Sequence, residues 1–191
     1  MSDNQFSGEK VRELHEAWAA ALADAEARAR AAGRTDIAEY LALRSSNDLL
    51  RKTASDWLLA TFTKVAGEMN RAGASLQITN EDNYQFKMPN AVMVGQLLKL
   101  ENGVRQLLVE VGWPRVPKHG FIRGGGLALG RLRHFGMKSA SEHIRLITSP
   151  EGAPRWIIEN IHDTLAEIHE ANIREHIAIL LDSSRVDEIR F

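Results

Sequence analysis

This sequence predicts an α+β fold in which an N-terminal helical hairpin packs with a mainly antiparallel β-sheet of hairpins, closed by a C-terminal helix. Three observations predict it. Apolar residues step by three or four over the first seventy positions, change to alternating or continuous runs in the middle, and return to helical steps after residue 160. Tight turn signals separate the middle runs, which favours hairpins over the long crossovers of a parallel sheet. The chain has 191 residues, room for one well-buried core but hardly for two. The expected organisation is a disordered lead-in over residues 1–7, a helical hairpin segment over 8–73, and the sheet with its helix over 74–191. All of it is expected to form one compact domain.

Helical spacing begins at Gly8. Val11, Leu14, Trp18, Ala21 and Ala25 form one face, and the alanine-rich stretch to Ala32 adds helix propensity. Gly33 stands where a left-handed residue ends a helix. Asp36 with Glu39 then reads as a capping box for a second helix, which continues through Leu50, Ala54, Trp57, Leu58, Phe62, Val65 and Met69 to Gly73. The polar SSND at 45–48 is a point of interruption. Trp18 and Trp57 lie in the apolar stripes and are expected in the core.

Leu76 and Ile78, then Tyr84, Phe86 and Met88, alternate around NEDN and predict a hairpin. A stronger one lies in VMVGQLLKLENGVRQLLVEVGW, where Asn102-Gly103 suits a type I′ turn. That turn sets Leu98 opposite Leu107 and Val94 opposite Val111, with Leu97 and Leu108 on the other face. Residues 126–135 predict a further strand, with Leu129, Arg131 and Arg133 on one face and Ala128, Gly130, Leu132 and His134 on the other. HIRLIT and PRWIIE predict another hairpin across SPEGA, and Asn160 to Leu181 a closing helix.

Composition removes several chemistries. The absence of cysteine excludes disulfides, thiolate nucleophiles and Cys-ligated metal centres. The opening MSDNQFSGEKVREL lacks a signal-peptide pattern, and no run reaches the ~20 apolar residues of a membrane span. A cytoplasmic protein without membrane partners is therefore expected. G-x-S-x-G and HExxH are absent. His162, His169 and His176 recur every seven residues, a rise of ~10.5 Å on a helix, too far apart for one ion. Their acidic neighbours suit a hydrated face. Neither metal nor cofactor is expected.

The stretch HGFIRGGGLALGRLRHFGMKS, residues 119–139, poses the functional question. Gly124 and Gly126 begin a dinucleotide fingerprint, but Leu129 occupies the third glycine position and Gly130 comes one residue late. Charge is nonetheless segregated. Residues 113–146 hold seven Lys/Arg and one acid, whereas residues 147–191 hold four and nine, in a chain of net charge −1. Glycines admit an anion to backbone N–H groups, and arginines supply fork-shaped donors. The candidate anion site is Arg115, Lys118, Arg123, Gly124, Gly125, Gly126, Arg131 and Arg133. The plain structural alternatives are a strand bulged at its glycines, or a basic patch facing the acidic C-terminal helix.

Three functional classes remain. The first is an interaction protein that self-associates through its N-terminal helices. The second is a module for an anionic ligand or nucleic acid using residues 115–138, and the third an enzyme whose site is assembled from distant residues. Two long apolar-striped helices without a catalytic signature favour the first.

Overall fold

The structure, a computed structural model, describes residues 3–159 and 166–181, with side chains from residue 16 onward. Helices α1 (Asp3–Ala31) and α2 (Thr35–Arg71) precede strands β1 (Gln77–Met88), β2 (Ala91–Asn102), β3 (Arg105–Trp113) and β4 (Ala128–His134). Strands β5 (Glu142–Thr148), β6 (Pro154–Ile158) and β7 (Ala166–Glu167) follow, then helix α3 (Glu170–Leu181). Each strand pairs antiparallel with the next, giving an open seven-stranded meander. This is the predicted α+β class. Among the described residues no helix is long and apolar enough to cross a membrane. The chain divides into two compact units, Met1–Lys52 and Thr53–Phe191, with the boundary inside α2.

In the first unit, α1 already includes residues 3–7, and it ends as the sequence predicts. Gly33 takes a φ of +71°, and the Arg34 N–H donates to the Ala29 carbonyl at 2.9 Å. The predicted capping box does not form. α2 begins one residue earlier, at Thr35, and the Ala38 N–H donates to the Arg34 carbonyl, which puts Asp36 inside the first turn. There its charge favours the helix dipole. SSND does not interrupt α2, because Asp48 is used within the helix, accepting from Arg51 Nη1 at 2.9 Å. Trp18 is not core: it is 47% exposed, with the Arg44 guanidinium 5.2 Å from its ring.

In the second unit, one face of the sheet carries the core. Leu58, Phe62, Val65 and Ala66 of α2, with Ile173, Ile177 and Leu180 of α3, pack against Leu98, Leu100, Leu107, Val109, Val111, Leu132, Ile144 and Leu146. Trp156 is buried there and donates its indole N–H to the Ala54 carbonyl at 3.0 Å. Trp57, expected in the core, is 44% exposed.

Two registers differ from the sequence reading. NEDN is no turn, since it lies within β1, where Asn83 is skipped by the ladder at a φ of +58°. Asparagine tolerates that left-handed conformation better than most residues. The bulge reverses the strand's faces. Ile78 lies opposite Leu100 toward the helices, whereas Tyr84 and Phe86 lie opposite Gly95 and Met93 on the far side. In the next hairpin Asn102 pairs with Arg105, so the loop is Gly103-Val104, with Gly103 at φ +60°. A type I′ turn at Asn102-Gly103 needs positive φ at both residues, and Asn102 does not have it. Leu98 therefore meets Val109 and Val94 meets Trp113. Moving the turn by one residue preserves every side chain's face, so the core pattern survives. The closing helix is also shorter than predicted: Ala166–Glu167 pairs with β6 and the helix starts at Glu170. Residues 160–165, including His162, lie outside the described ones.

Phe62 has no exposure and sits where α2 meets the sheet. Phe62→Ala should lower the unfolding free energy by about 3–5 kcal/mol in a denaturant titration. A loss below about 1 kcal/mol would contradict this packing.

Candidate functional site

The strand alternation predicted for residues 126–135 holds. Leu132 and His134 point to the helices, while Arg131 and Arg133 point to the far face. On β3 the same alternation aims Glu110 to that far face, directly opposite Arg131. The β1 bulge brings Tyr84 round to join them.

Glu110 is the centre of this cluster and has no solvent exposure. Arg133 Nε donates to its Oε2 at 2.9 Å and Arg133 Nη2 to its Oε1 at 3.3 Å. Arg131 Nη2 and the Tyr84 hydroxyl each donate to Oε1 at 3.0 Å. Arg131 Nε also lies 2.9 Å from Oε2, but its N–H is not aligned for a hydrogen bond. The Arg131 guanidinium stands 5.1 Å from the Phe86 ring. Burial, then the Glu110 charge, raises the Tyr84 pKa, which keeps the phenol protonated as a donor. One carboxylate thus holds two guanidinium groups and one hydroxyl across β1, β3 and β4. The acid that pairs with the basic strand is its sheet neighbour and not the C-terminal helix.

The triple glycine accommodates a side chain of the protein itself. Residues 123–125 form a single tight turn, with Gly124 and Gly125 at φ of +75° and +76°. A side chain at Gly124 would place its Cβ 2.2 Å from Arg145 Nη1, and one at Gly126 would lie 2.9 Å from Arg145 Cγ. Arg145 donates to the Gly124 carbonyl at 3.3 Å and is ion-paired with Glu159. The glycines make room for the protein's own guanidinium. Gly124, Gly126, Arg131 and Arg133 therefore answer to partners inside the chain.

What stays outward is the loop between β3 and β4. Arg115, Lys118, Arg123 and Gly125 are exposed there. Arg115 lies 3.9 Å above the Trp113 ring, and its Nε donates to the Val94 carbonyl at 3.4 Å. Arg115, Lys118 and Arg123 are thus apart from the Glu110 cluster.

The most buried titratable pair was not singled out from the sequence. His134 Nε2 and His176 Nδ1 lie 3.0 Å apart, with rings stacked at 5.3 Å, and His176 Nε2 lies 3.4 Å from Glu142 Oε2. The hydrated face expected for the histidines is wrong for His176, which is buried beside Ile173, Ile177 and Leu180, though His169 is exposed. The signal was present: residue 176 belongs to the same three-and-four stripe as 173, 177 and 180. Burial first, then the neighbouring His176, lowers the His134 pKa to about 4, opposed by Glu142. Its Nδ1 is buried without a partner. Among the described residues no three His, Asp or Glu side chains are placed to hold a metal ion.

Two outcomes follow from this geometry. Glu110→Ala removes the shared acceptor of two partly exposed guanidinium groups and a hydroxyl and should lower the unfolding free energy by about 1.5–3 kcal/mol. Lys99→Ala, which breaks a more exposed pair with Glu101, should cost less than about 1 kcal/mol. Equal effects would refute the assignment. For His134, the unfolded chain takes up a proton near pH 6.5 and the folded chain only near 4. Stability should therefore fall by about 3 kcal/mol as pH drops through that window. In His134→Gln, chemical denaturation across the same window should show a flatter slope.

Comparison with protein-family models, with curated proteins and with solved structures finds no match for this chain, so its own geometry carries the functional reading.

Proposed function

We propose that this protein acts by binding macromolecules and that its N-terminal helical hairpin joins it to a second copy of itself. One observation carries this reading: the described side chains of residues 16–52 form little core of their own. Among the side chains described in residues 16–52, only Leu22, Ala29 and Ala38 are buried apolar residues. Trp18, Tyr40, Leu43 and Leu49 are 47%, 61%, 61% and 65% exposed. Helices in proteins draw most of their stability from packing an apolar face, not from propensity. Large apolar side chains left outside mark surfaces that meet a partner.

The spacing favours a second copy as that partner. Tyr40, Leu43, Asn47 and Leu50 follow three-four-three steps along α2, the a and d positions of a heptad seam. A seam of this kind is complementary to itself across a twofold axis. Asn47 occupies an a position, where a polar side chain specifies register and oligomer size at some cost in stability. The rim carries helical ion pairs, such as Arg30 with Glu26 at 2.6 Å, that keep the remaining surface soluble.

Sedimentation equilibrium at tens of micromolar should give a dimer. Tyr40→Glu with Leu43→Glu should raise the dissociation constant at least a hundredfold, since each copy then exposes charge where about 2 kcal/mol of apolar burial stood. Unchanged far-ultraviolet circular dichroism for the second unit would confirm that the sheet remains folded. A wild-type monomer throughout would overturn the reading.

A further inference from the structure

The charge segregation in the sequence leaves an outward cluster of cations on the loop between β3 and β4, and exposed apolar side chains belong to the same loop. The loop from residue 114 to 127 leaves the end of β3 and crosses the β1–β2 turn, bridging Gly120 to Ala91. Its packing there is close: a Cβ on Gly120 would lie 2.3 Å from the Asn90 carbonyl oxygen. Two prolines and two short 3₁₀ turns, at Pro117–His119 and Arg123–Gly125, stiffen it. Its root is anchored, because Ile122 and Leu127 pack against the core. Its crest presents Phe121 at 64% and Val116 at 41% exposure among exposed Arg115, Lys118 and Arg123. None of the described residues pairs with Lys118 or Arg123.

No acid occurs between Glu110 and Glu142. At the same end of the sheet, Lys87 next to the β1–β2 turn adds an exposed cation. Glu151 on the β5–β6 turn is an exposed acid, 3.7 Å from Arg155. Elsewhere on the far face the cations already have carboxylates: Arg131 and Arg133 on Glu110, Arg145 on Glu159, and Lys99 on Glu101. The loop is thus the part of the basic segment where several exposed cations cluster, Lys138 standing exposed beyond the other end of β4.

The geometry points to a peripheral contact between this loop and an anionic phospholipid surface, with Phe121 and Val116 entering the interfacial layer and Arg115, Lys118 and Arg123 meeting the headgroup phosphates. An exposed Phe and Val gain by leaving water for the acyl boundary, and cations around them gain from the negative surface potential. A single-stranded nucleic acid fits less well. It needs several stacking rings along a cationic track, whereas this crest offers one ring, an aliphatic neighbour and a far face whose cations are paired. The contact is independent of the helical hairpin and requires no membrane-spanning segment.

The test uses the full chain with vesicles of neutral phosphatidylcholine, or of the same lipid containing phosphatidylserine, separated by flotation. Binding to the anionic vesicles is expected, with a several-fold loss on raising salt and little binding to neutral ones. Each basic residue near such a surface contributes about fivefold. Lys118→Ala with Arg123→Ala should therefore reduce partition about twenty-fivefold, and Phe121→Ser several-fold, with thermal midpoints unchanged because these side chains are exposed. No binding to anionic vesicles, equal binding to neutral ones, or binding unaffected by these variants overturns the proposal. So does salt-sensitive binding to a single-stranded oligonucleotide in the absence of vesicle binding.

Discussion

A buried carboxylate shared by two arginines decides how this molecule presents its charge. Glu110 is closed off from solvent and is held by Arg131, Arg133 and Tyr84 from the two strands that flank the β2–β3 hairpin. An unpaired charge at that position would be prohibitive, and burial is tolerated only with such partners in place. Three backbone features must therefore agree. β3 and β4 must be in register so that residue 110 meets 131, β4 must alternate without slipping, and β1 must bulge at Asn83 so that Tyr84 turns to the same face. A one-residue slip of β3 or β4 sends a charge into the apolar face under the helices, and loss of the bulge turns Tyr84 away from Glu110.

The glycine-rich turn obeys the same logic one strand further on. Arg145 lies across Gly124 and Gly126 and reaches Glu159, so the absence of side chains serves an internal guanidinium. The basic run in the sequence thus separates physically into two parts. The strand portion pairs with Glu110, whereas Arg115, Lys118 and Arg123 of the loop, with Lys138 beyond β4, remain on the surface. The first unit has its own distinct character, with more large apolar side chains outside than in among those described. Charge dominates the outward loop of the second unit, and exposed apolar side chains dominate the described surface of the first.

The sequence made the elements legible where local physics decides them. Gly33 ends α1 because few other residues accept its left-handed backbone, and the alternation of Leu129, Arg131 and Arg133 against Leu132 and His134 follows from strand geometry alone. It failed where distant groups decide. NEDN has turn composition, but the sheet runs through it and absorbs Asn83 as a bulge. The hairpin register depended on whether Asn102 or Val104 shared the turn with Gly103, a choice set by the flanking strands. Trp18 and Trp57 have the spacing of core residues but no neighbour to bury them fully, which spacing cannot reveal. Within the candidate site, residue positions on the strand were readable, and their partner Glu110, twenty-one residues away, was not. Nor did the seven-residue histidine repeat disclose that His176 turns inward to His134.

The central claim, that Glu110 holds both guanidinium groups of β4 against the far face of the sheet, is accessible to nitrogen-15 spectroscopy of arginine side chains at mildly acidic pH. Arg131 and Arg133 should show slowed guanidinium rotation, Arg133 a protected Nε–H, and both no shift on adding phosphate, while the exposed Arg123 shows rapid averaging. Averaged, exchange-labile signals for Arg131 and Arg133 that move on adding phosphate would contradict the account.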